Sequence, residues 1–174
     1  GELGDGIRMH PLNTPSYIQN VIRPAVAEGA ARAGRDISDV EFVVNPFFIT
    51  GTSEEEFEES KKLIRKHLSF YAATRTYSSV MEHHGWGAIS KELVTLSQTN
   101  RWEQMPALVT DEMLDTFAIM GLHEELPAKL AARYSGVVDT VNVVFGPPYA
   151  ELQERQRQQF VALGRMLPAL KQVR

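Results

Sequence analysis

Two patterns of apolar residues alternate along this chain. Short apolar runs lie near residues 7–10, 40–50 and 137–145, and the second is almost continuously apolar, which is typical of a strand buried on both faces of a parallel sheet. Between these runs, apolar residues recur three or four positions apart, as on helices that bury one face. Strands that alternate with helices in this way predict an α/β fold with parallel strands.

Local signals mark where the helices begin. Thr14 before Pro15 predicts the start of the first helix, and Pro24 should kink or divide that helix because it lacks a backbone N–H. Ser53 with Glu56 three residues later has the pattern of a capping box, which predicts that a long second helix begins there.

The connection between the second and third strands is longer than a simple βα unit requires. Residues 71–120 are predicted to form a helical insertion, including a helix near 113–119 that Gly121 ends, and a last helix is predicted from 149 to about 170. The chain opens on a turn and a strand, in the middle of a repeating pattern. We therefore expect residues 1–174 to form one partial-barrel domain with about three strands.

Composition narrows the function classes. The chain has 174 residues, of which 43% are hydrophobic and 23% charged, as is usual for a globular domain with a sizeable core. Its net charge of −4 argues against a nucleic-acid binder. Because the chain has no cysteine, disulfides, thiol nucleophiles and thiolate metal sites are excluded, and redox chemistry would need a bound organic cofactor. With no signal-peptide pattern and no apolar run of membrane length, we expect no membrane partner and a cytoplasmic location.

Candidate site residues follow from the rule that parallel α/β proteins bind ligands at the carboxyl ends of their strands. His10 ends the first predicted strand, where its imidazole can polarise a ligand or move a proton near neutral pH. The alternative is a histidine that anchors the loop by bonding to the backbone. Asn45 and Thr50, in and after the second run, either line a pocket or fill the barrel, and packing is the favoured interpretation.

The segment after the second helix is unusually rich in aromatic, hydroxyl and cationic side chains. There, Arg75 can pair with a phosphate or carboxylate and Tyr77 can stack or donate, although a surface or packing role is the commoner fate of such residues. His83, His84 and Trp86 favour a structural turn over a metal site, because adjacent histidines point apart on a helix. No metal site is expected.

Taken together, six segments in their order along the chain resemble the luciferase-like monooxygenase superfamily, and in particular its F420-dependent oxidoreductases from actinobacteria. The resemblance covers almost the whole chain. The segments are GELGDGIRMHPLNTP, AEGAARAGRD, VEFVVNPFFITG, FYAATRTYSSVMEHHGWG, VTDEMLDTFAIMG and VDTVNVVFGPP.

The resemblance implies the carboxyl-terminal half of a (β/α)8 TIM-type barrel of roughly twice this length, with the three predicted strands as strands six, seven and eight. It also implies hydride transfer between coenzyme F420 and a small organic substrate at the carboxyl ends of those strands. In this interpretation His10 is the polarising or proton-transfer residue, and Arg75, Tyr77 and Thr50 are cofactor contacts.

Two other functions are also compatible with the sequence: an FMN-dependent monooxygenase of the same superfamily, and a non-catalytic half-barrel that serves as an interaction module. Because three or four strands cannot close a barrel, we expect the chain to be inactive alone. Its expected partner is the missing amino-terminal half of the barrel or another copy of itself, as an oligomer.

Overall fold

Parallel strand pairs form the framework of the computed structural model, which describes residues 1–143. Within that range the first sheet has the order β1-β2-β5, with β1 at Gly6–Met9, β2 at Glu41–Val44 and β5 at Thr140–Val141. A second sheet pairs β3 at Phe47–Ile49 with β4 at Ala118–Met120. All the pairs are parallel, as the alternation of strands and helices predicts.

The run predicted as one strand at residues 40–50 forms two strands instead. Asn45 and Pro46 separate β2 from β3, and since proline has no N–H to donate to a ladder, the chain leaves the first sheet at this point. Its new partner, β4, was predicted as the end of a helix. A run of three apolar residues has no periodicity that distinguishes a strand from a buried helical turn.

The third predicted strand, at residues 137–145, is shorter in the described part of the chain. Only Thr140–Val141 is assigned as strand, but the Asn142 amide donates to Val44 O at 2.8 Å, and so the hydrogen-bonded contact continues one residue further. The last residues of that predicted strand, 144–145, and the helix predicted from 149 to about 170 lie outside the described residues.

Seven α-helices occur in residues 1–143. They are α1 Pro15–Tyr17, α2 Arg23–Arg32, α3 Glu54–Ala72, α4 Ser78–His83, α5 Gly87–Gln98, α6 Asp111–Phe117 and α7 Leu126–Tyr134. Four short 3-10 helices lie at Ile37–Asp39, Arg75–Tyr77, Trp102–Leu108 and His123–Glu125. A π-helical turn, Ile18–Ile22, lies between α1 and α2, so the first predicted helix is not divided. Pro24 lies in the first turn of α2, directly after this turn. No helix in this range is both long and apolar enough to cross a membrane.

The helix starts follow the predicted caps. The Thr14 hydroxyl accepts from the Tyr17 amide and the Ser53 hydroxyl accepts from the Glu56 amide, each at 3.2 Å. The carboxylate of Glu56 accepts from the amide and hydroxyl of Thr52, at 2.9 and 2.6 Å. The box at the start of α3 therefore closes one residue earlier than predicted.

Two apolar cores stabilise the described chain. One lies between the three-stranded sheet and helices α2 and α7, with Ile18, Phe42, Leu126, Leu130 and Tyr134 among its members. The other lies among β3, β4 and helices α3 to α6, with Leu68, Met81, Leu93, Met113 and Phe117 among its members. The predicted insertion thus packs with β3 and α3 in the second core, and this core supports the side chains that the insertion presents to the end of β1.

Candidate active site

A row of polar residues lies at the carboxyl edge of the first sheet. The ladder pairs Met9 with Val44 and Val44 with Val141, and the next residues in the three strands are His10, Asn45 and Asn142. All three are half-buried. Neighbouring strands lie about 4.8 Å apart, so these residues are direct neighbours along the edge. We call them the carboxyl-edge row. Sequence reasoning did not single out Asn142, although a polar residue inside an apolar run was a signal for it.

His10 is held on three sides by the protein. Its ring stacks on Tyr77, with ring centroids 4.5 Å apart and planes 25° apart, and meets the ring of Tyr71 edge-on at 4.4 Å. Its Nδ1 accepts a hydrogen bond from the Leu12 amide at 3.1 Å. Aromatic contacts and a backbone hydrogen bond together fix the plane of the imidazole.

The bond at Nδ1 decides which ring nitrogen of His10 carries the proton. An atom that accepts from an amide is unprotonated in the neutral ring, so Nε2 is the protonated, donating nitrogen. Within residues 1–143, no hydrogen bond to that Nε2 is formed. Burial lowers the pKa of His10, which favours the neutral ring near pH 7. The anchoring role proposed for His10 is present, and it uses only one of the two nitrogens.

The short 3-10 helix after α3 carries the other two candidates from the insertion. Tyr77 is half-buried because its ring covers His10. Arg75 is exposed, and within the described chain its guanidinium makes no hydrogen bond or ion pair. The structure therefore brings Tyr77 to His10 and presents Arg75 to solvent two residues away. Tyr71, at the end of α3, is a site residue that sequence reasoning missed.

Two buried polar atoms lack partners among residues 1–143: Oδ1 of Asn45 and Oγ1 of Thr50. They follow β2 and β3, on either side of Pro46. The Thr50 amide is satisfied because it donates to Ser60 Oγ at 3.2 Å. An unsatisfied buried polar atom costs about 1–3 kcal/mol, so two such atoms, each at the carboxyl end of a strand, are a feature that a ligand-binding site would explain.

The paired histidines connect the insertion to the start of α1, which follows the loop after β1. Thr14 Oγ1 lies 2.9 Å from His84 Nε2, and Ser16 Oγ lies 2.8 Å from His83 Nε2. The His84 ring also stacks on Trp86, with centroids 5.3 Å apart. These contacts give the pair a structural role, and in the described part of the chain no cluster of three or more metal-ligating side chains is formed.

Fold and site together define a class: a partial parallel α/β barrel with a polar site at the carboxyl ends of its strands. Residues 1–140 match the family model described as luciferase-like monooxygenase, and the chain belongs to that family. A solved structure of coenzyme F420-dependent tetrahydromethanopterin reductase from Methanopyrus kandleri superposes on 84% of this chain and 40% of its own, with a TM-score of 0.63 and 20% sequence identity. The predicted fold class, a partial (β/α)8 barrel, is confirmed.

One of the similar sequences is named for an activity, and that activity is a reduction. Uncharacterized proteins of Mycobacterium bovis and Mycobacterium tuberculosis are 39% identical over 145 residues, which is 83% of this chain and 43% of theirs. A 5,10-methylenetetrahydromethanopterin reductase of Methanolobus tindarius is 23% identical over 157 residues, or 89% of this chain and 46% of its own. The chain thus spans less than half the length of the curated relatives it matches, and its family is one of oxidoreductases.

Proposed function

We propose that this chain forms part of an F420-dependent oxidoreductase that transfers a hydride between the deazaflavin and a small organic substrate. The observation that carries the proposal is the state of His10: one nitrogen is anchored, two tyrosine rings hold the imidazole, and Nε2–H is left to donate at the carboxyl end of a barrel strand. This is the place where barrel enzymes assemble their reacting groups.

The bond from Leu12 favours a polarising role for His10 over a proton-donating one. To give up a proton from the cationic ring, Nδ1 would have to be protonated, and it would then face the Leu12 amide donor to donor. A neutral imidazole donates from Nε2–H to a substrate oxygen that gains negative charge during hydride transfer. Water then supplies the proton that completes the product.

The residues present fit a redox cofactor with ring heteroatoms and an anionic group. The partnerless hydroxyl of Thr50 can bond to a polar ring atom, Tyr77 offers an aromatic face and a phenol beside His10, and Arg75 is a cation without an ion pair in the described chain. When bound there, F420 would supply the carbon that carries the hydride. FMN would be held by the same groups, and so an FMN-dependent monooxygenase is the second candidate function.

We further propose that the working barrel includes strands from elsewhere: the missing amino-terminal half, or another copy of this chain in an oligomer. In residues 1–143, β1 and β5 are the edges of the three-stranded sheet, and a barrel has no edges. The relatives' greater length favours the missing half. The absence of cysteine accords with a cytoplasmic site of action, since the protein needs no oxidising compartment.

Titration of the intact protein with F420 and, separately, with FMN tests the proposal through the change in cofactor fluorescence. Tighter binding of F420 supports it, tighter binding of FMN favours the monooxygenase, and binding of neither favours a non-catalytic half-barrel. Arg75→Met should weaken binding about tenfold if the guanidinium pairs with an anionic group. The matched control is Arg101→Met, which removes an exposed arginine bonded to Gln104 and should leave the dissociation constant unchanged.

A further inference from the structure

Asn45 is the member of the carboxyl-edge row whose chemistry the proposed function leaves unused. Its Oδ1 is buried and has no partner among residues 1–143. The residue follows directly on Val44, which pairs with Met9, so Asn45 and His10 are the first residues beyond a paired position of two adjacent strands. Both residues therefore lie at the carboxyl edge of the sheet, on neighbouring segments of the chain.

The two neighbours differ in hydrogen-bonding sense. His10 presents a donor, Nε2–H, because Leu12 occupies its other nitrogen. Asn45 presents an acceptor, Oδ1. The two strands are about 4.8 Å apart, so a single small molecule can meet both groups when it carries an acceptor and a donor on neighbouring atoms.

We infer that Asn45 is a substrate-binding, specificity-determining residue, and that the substrate is a carbonyl compound with a hydroxyl or N–H group next to the carbonyl. The carbonyl oxygen accepts from His10 Nε2–H, and the neighbouring hydroxyl or N–H donates to Asn45 Oδ1. A hydroxyketone or a lactam has this arrangement. The inference rests on the proposed function only in placing the substrate at the carboxyl-edge row.

The burial of Oδ1 gives the inference its selectivity. A ligand that carries the matching donor gains a hydrogen bond to an acceptor that has no partner in the free protein, whereas a ligand without the donor leaves that acceptor unpaired. An exposed acceptor would exert no such selection, since water would satisfy it.

Ligand-observed NMR on the intact protein tests the inference without relying on turnover. The probes are two pairs: 2-piperidone with N-methyl-2-piperidone, and 2-hydroxycyclohexanone with cyclohexanone. In the first pair the member without the donor is larger, and in the second it is smaller, so size does not explain a common preference. Dissociation constants are measured with F420, with FMN and with neither, and we expect the donor-bearing member to bind at least about tenfold more tightly in both pairs.

Three variants assign the preference to Asn45. Asn45→Leu keeps the size of the side chain and removes the acceptor, so the preference should disappear, while thermal unfolding shows that the fold persists. Asn45→Asp keeps the acceptor and should keep the preference at about pH 8, where the carboxylate is ionised. Asn20→Leu, at an exposed site outside the row where the amide bonds to Ser16, should behave as wild type.

The inference is overturned if wild type shows no preference in either pair, if it binds none of the four probes, or if Asn45→Leu retains the preference. The fluorescence titration separates this result from the cofactor assignment. A protein that binds F420 and shows no preference contradicts the role of Asn45 alone, and one that shows the preference and binds no F420 contradicts the cofactor alone.

Discussion

Replacements of His10 should separate the two ways in which the protein holds this ring. His10→Phe keeps an aromatic ring against Tyr71 and Tyr77 and leaves the Leu12 amide without its acceptor. One lost hydrogen bond of a neutral donor corresponds to about 1 kcal/mol. His10→Asn places an oxygen near the position of Nδ1 and loses both ring contacts, which are worth about 0.5–1.5 kcal/mol each, or about 1–3 kcal/mol in total. His10→Ala loses both, so we expect about 2–4 kcal/mol.

Urea unfolding of the intact protein at about pH 8, where the imidazole is neutral, measures these differences. His67 supplies the control, because it is exposed on α3, and His67→Phe and His67→Asn should change the free energy of unfolding by less than about 0.5 kcal/mol. If His10→Phe is as stable as wild type, the bond from Leu12 is not holding the ring. If His10→Asn is as stable as wild type, the contacts with Tyr71 and Tyr77 are not holding the ring.

The remaining predictions concern pH and the support of the second sheet. Burial lowers the pKa values of His10, His84 and His123 below 6.5. As pH falls through about 6.5, the unfolded chain therefore binds protons before the folded protein does, and the folded state loses stability. The melting temperature should be lower at about pH 5.5 than at about pH 7.5, and a higher melting temperature at about pH 5.5 would contradict this. Arg133 donates to the carbonyls of residues 115, 116 and 118 where α6 meets β4. Arg133→Met should therefore lower the free energy of unfolding in urea by about 2 kcal/mol. The control, Lys129→Met, loses one such bond and one exposed ion pair and should cost less than about 1 kcal/mol. Equal losses would show that the three bonds of Arg133 stabilise the protein no more than the single bond of Lys129.

The sequence predicts those parts of the fold that depend on local chemistry. Hydroxyl side chains at Thr14 and Ser53 begin helices because they satisfy free backbone amides, and this is visible in the chain itself. The place of His10 at the end of a strand was also predictable, because it ends a short apolar run and precedes a proline. Pro24, which lacks an N–H, follows directly on the π-helical turn that interrupts the α-helical pattern of the first helix.

Other parts of the fold depend on partners far along the chain and could not be predicted from local pattern. The strand Phe47–Ile49 exists because Ala118–Met120 lies beside it. Neither apolar triplet carries a signal that identifies the other as its partner. The contact of Tyr71 with His10 joins residues more than 60 positions apart; a tyrosine near the end of an amphipathic helix is by itself read as core. Tertiary pairing decides such cases, and sequence propensity does not.

Of the site residues, those that were hardest to predict are the ones that define its chemistry. The sequence suggests a histidine at a strand end, but which nitrogen donates depends on the Leu12 amide, a backbone group that any residue except proline could supply at that position. Likewise, Asn45 became a candidate for selectivity only when the structure showed its oxygen to be buried and without a partner. Residue type alone does not distinguish a satisfied amide from an orphaned one.

The insertion is a part of the site as well as a covering for it. Both rings that hold His10 come from its first residues, Tyr71 and Tyr77, and its paired histidines bond to the start of α1, a few residues after His10. A displacement of the insertion would thus release the ring of His10 and open the carboxyl-edge row to water at the same time. Because a buried acceptor selects its ligand only while water is excluded, the specificity inferred for Asn45 depends on the position of the insertion as well as on Asn45 itself.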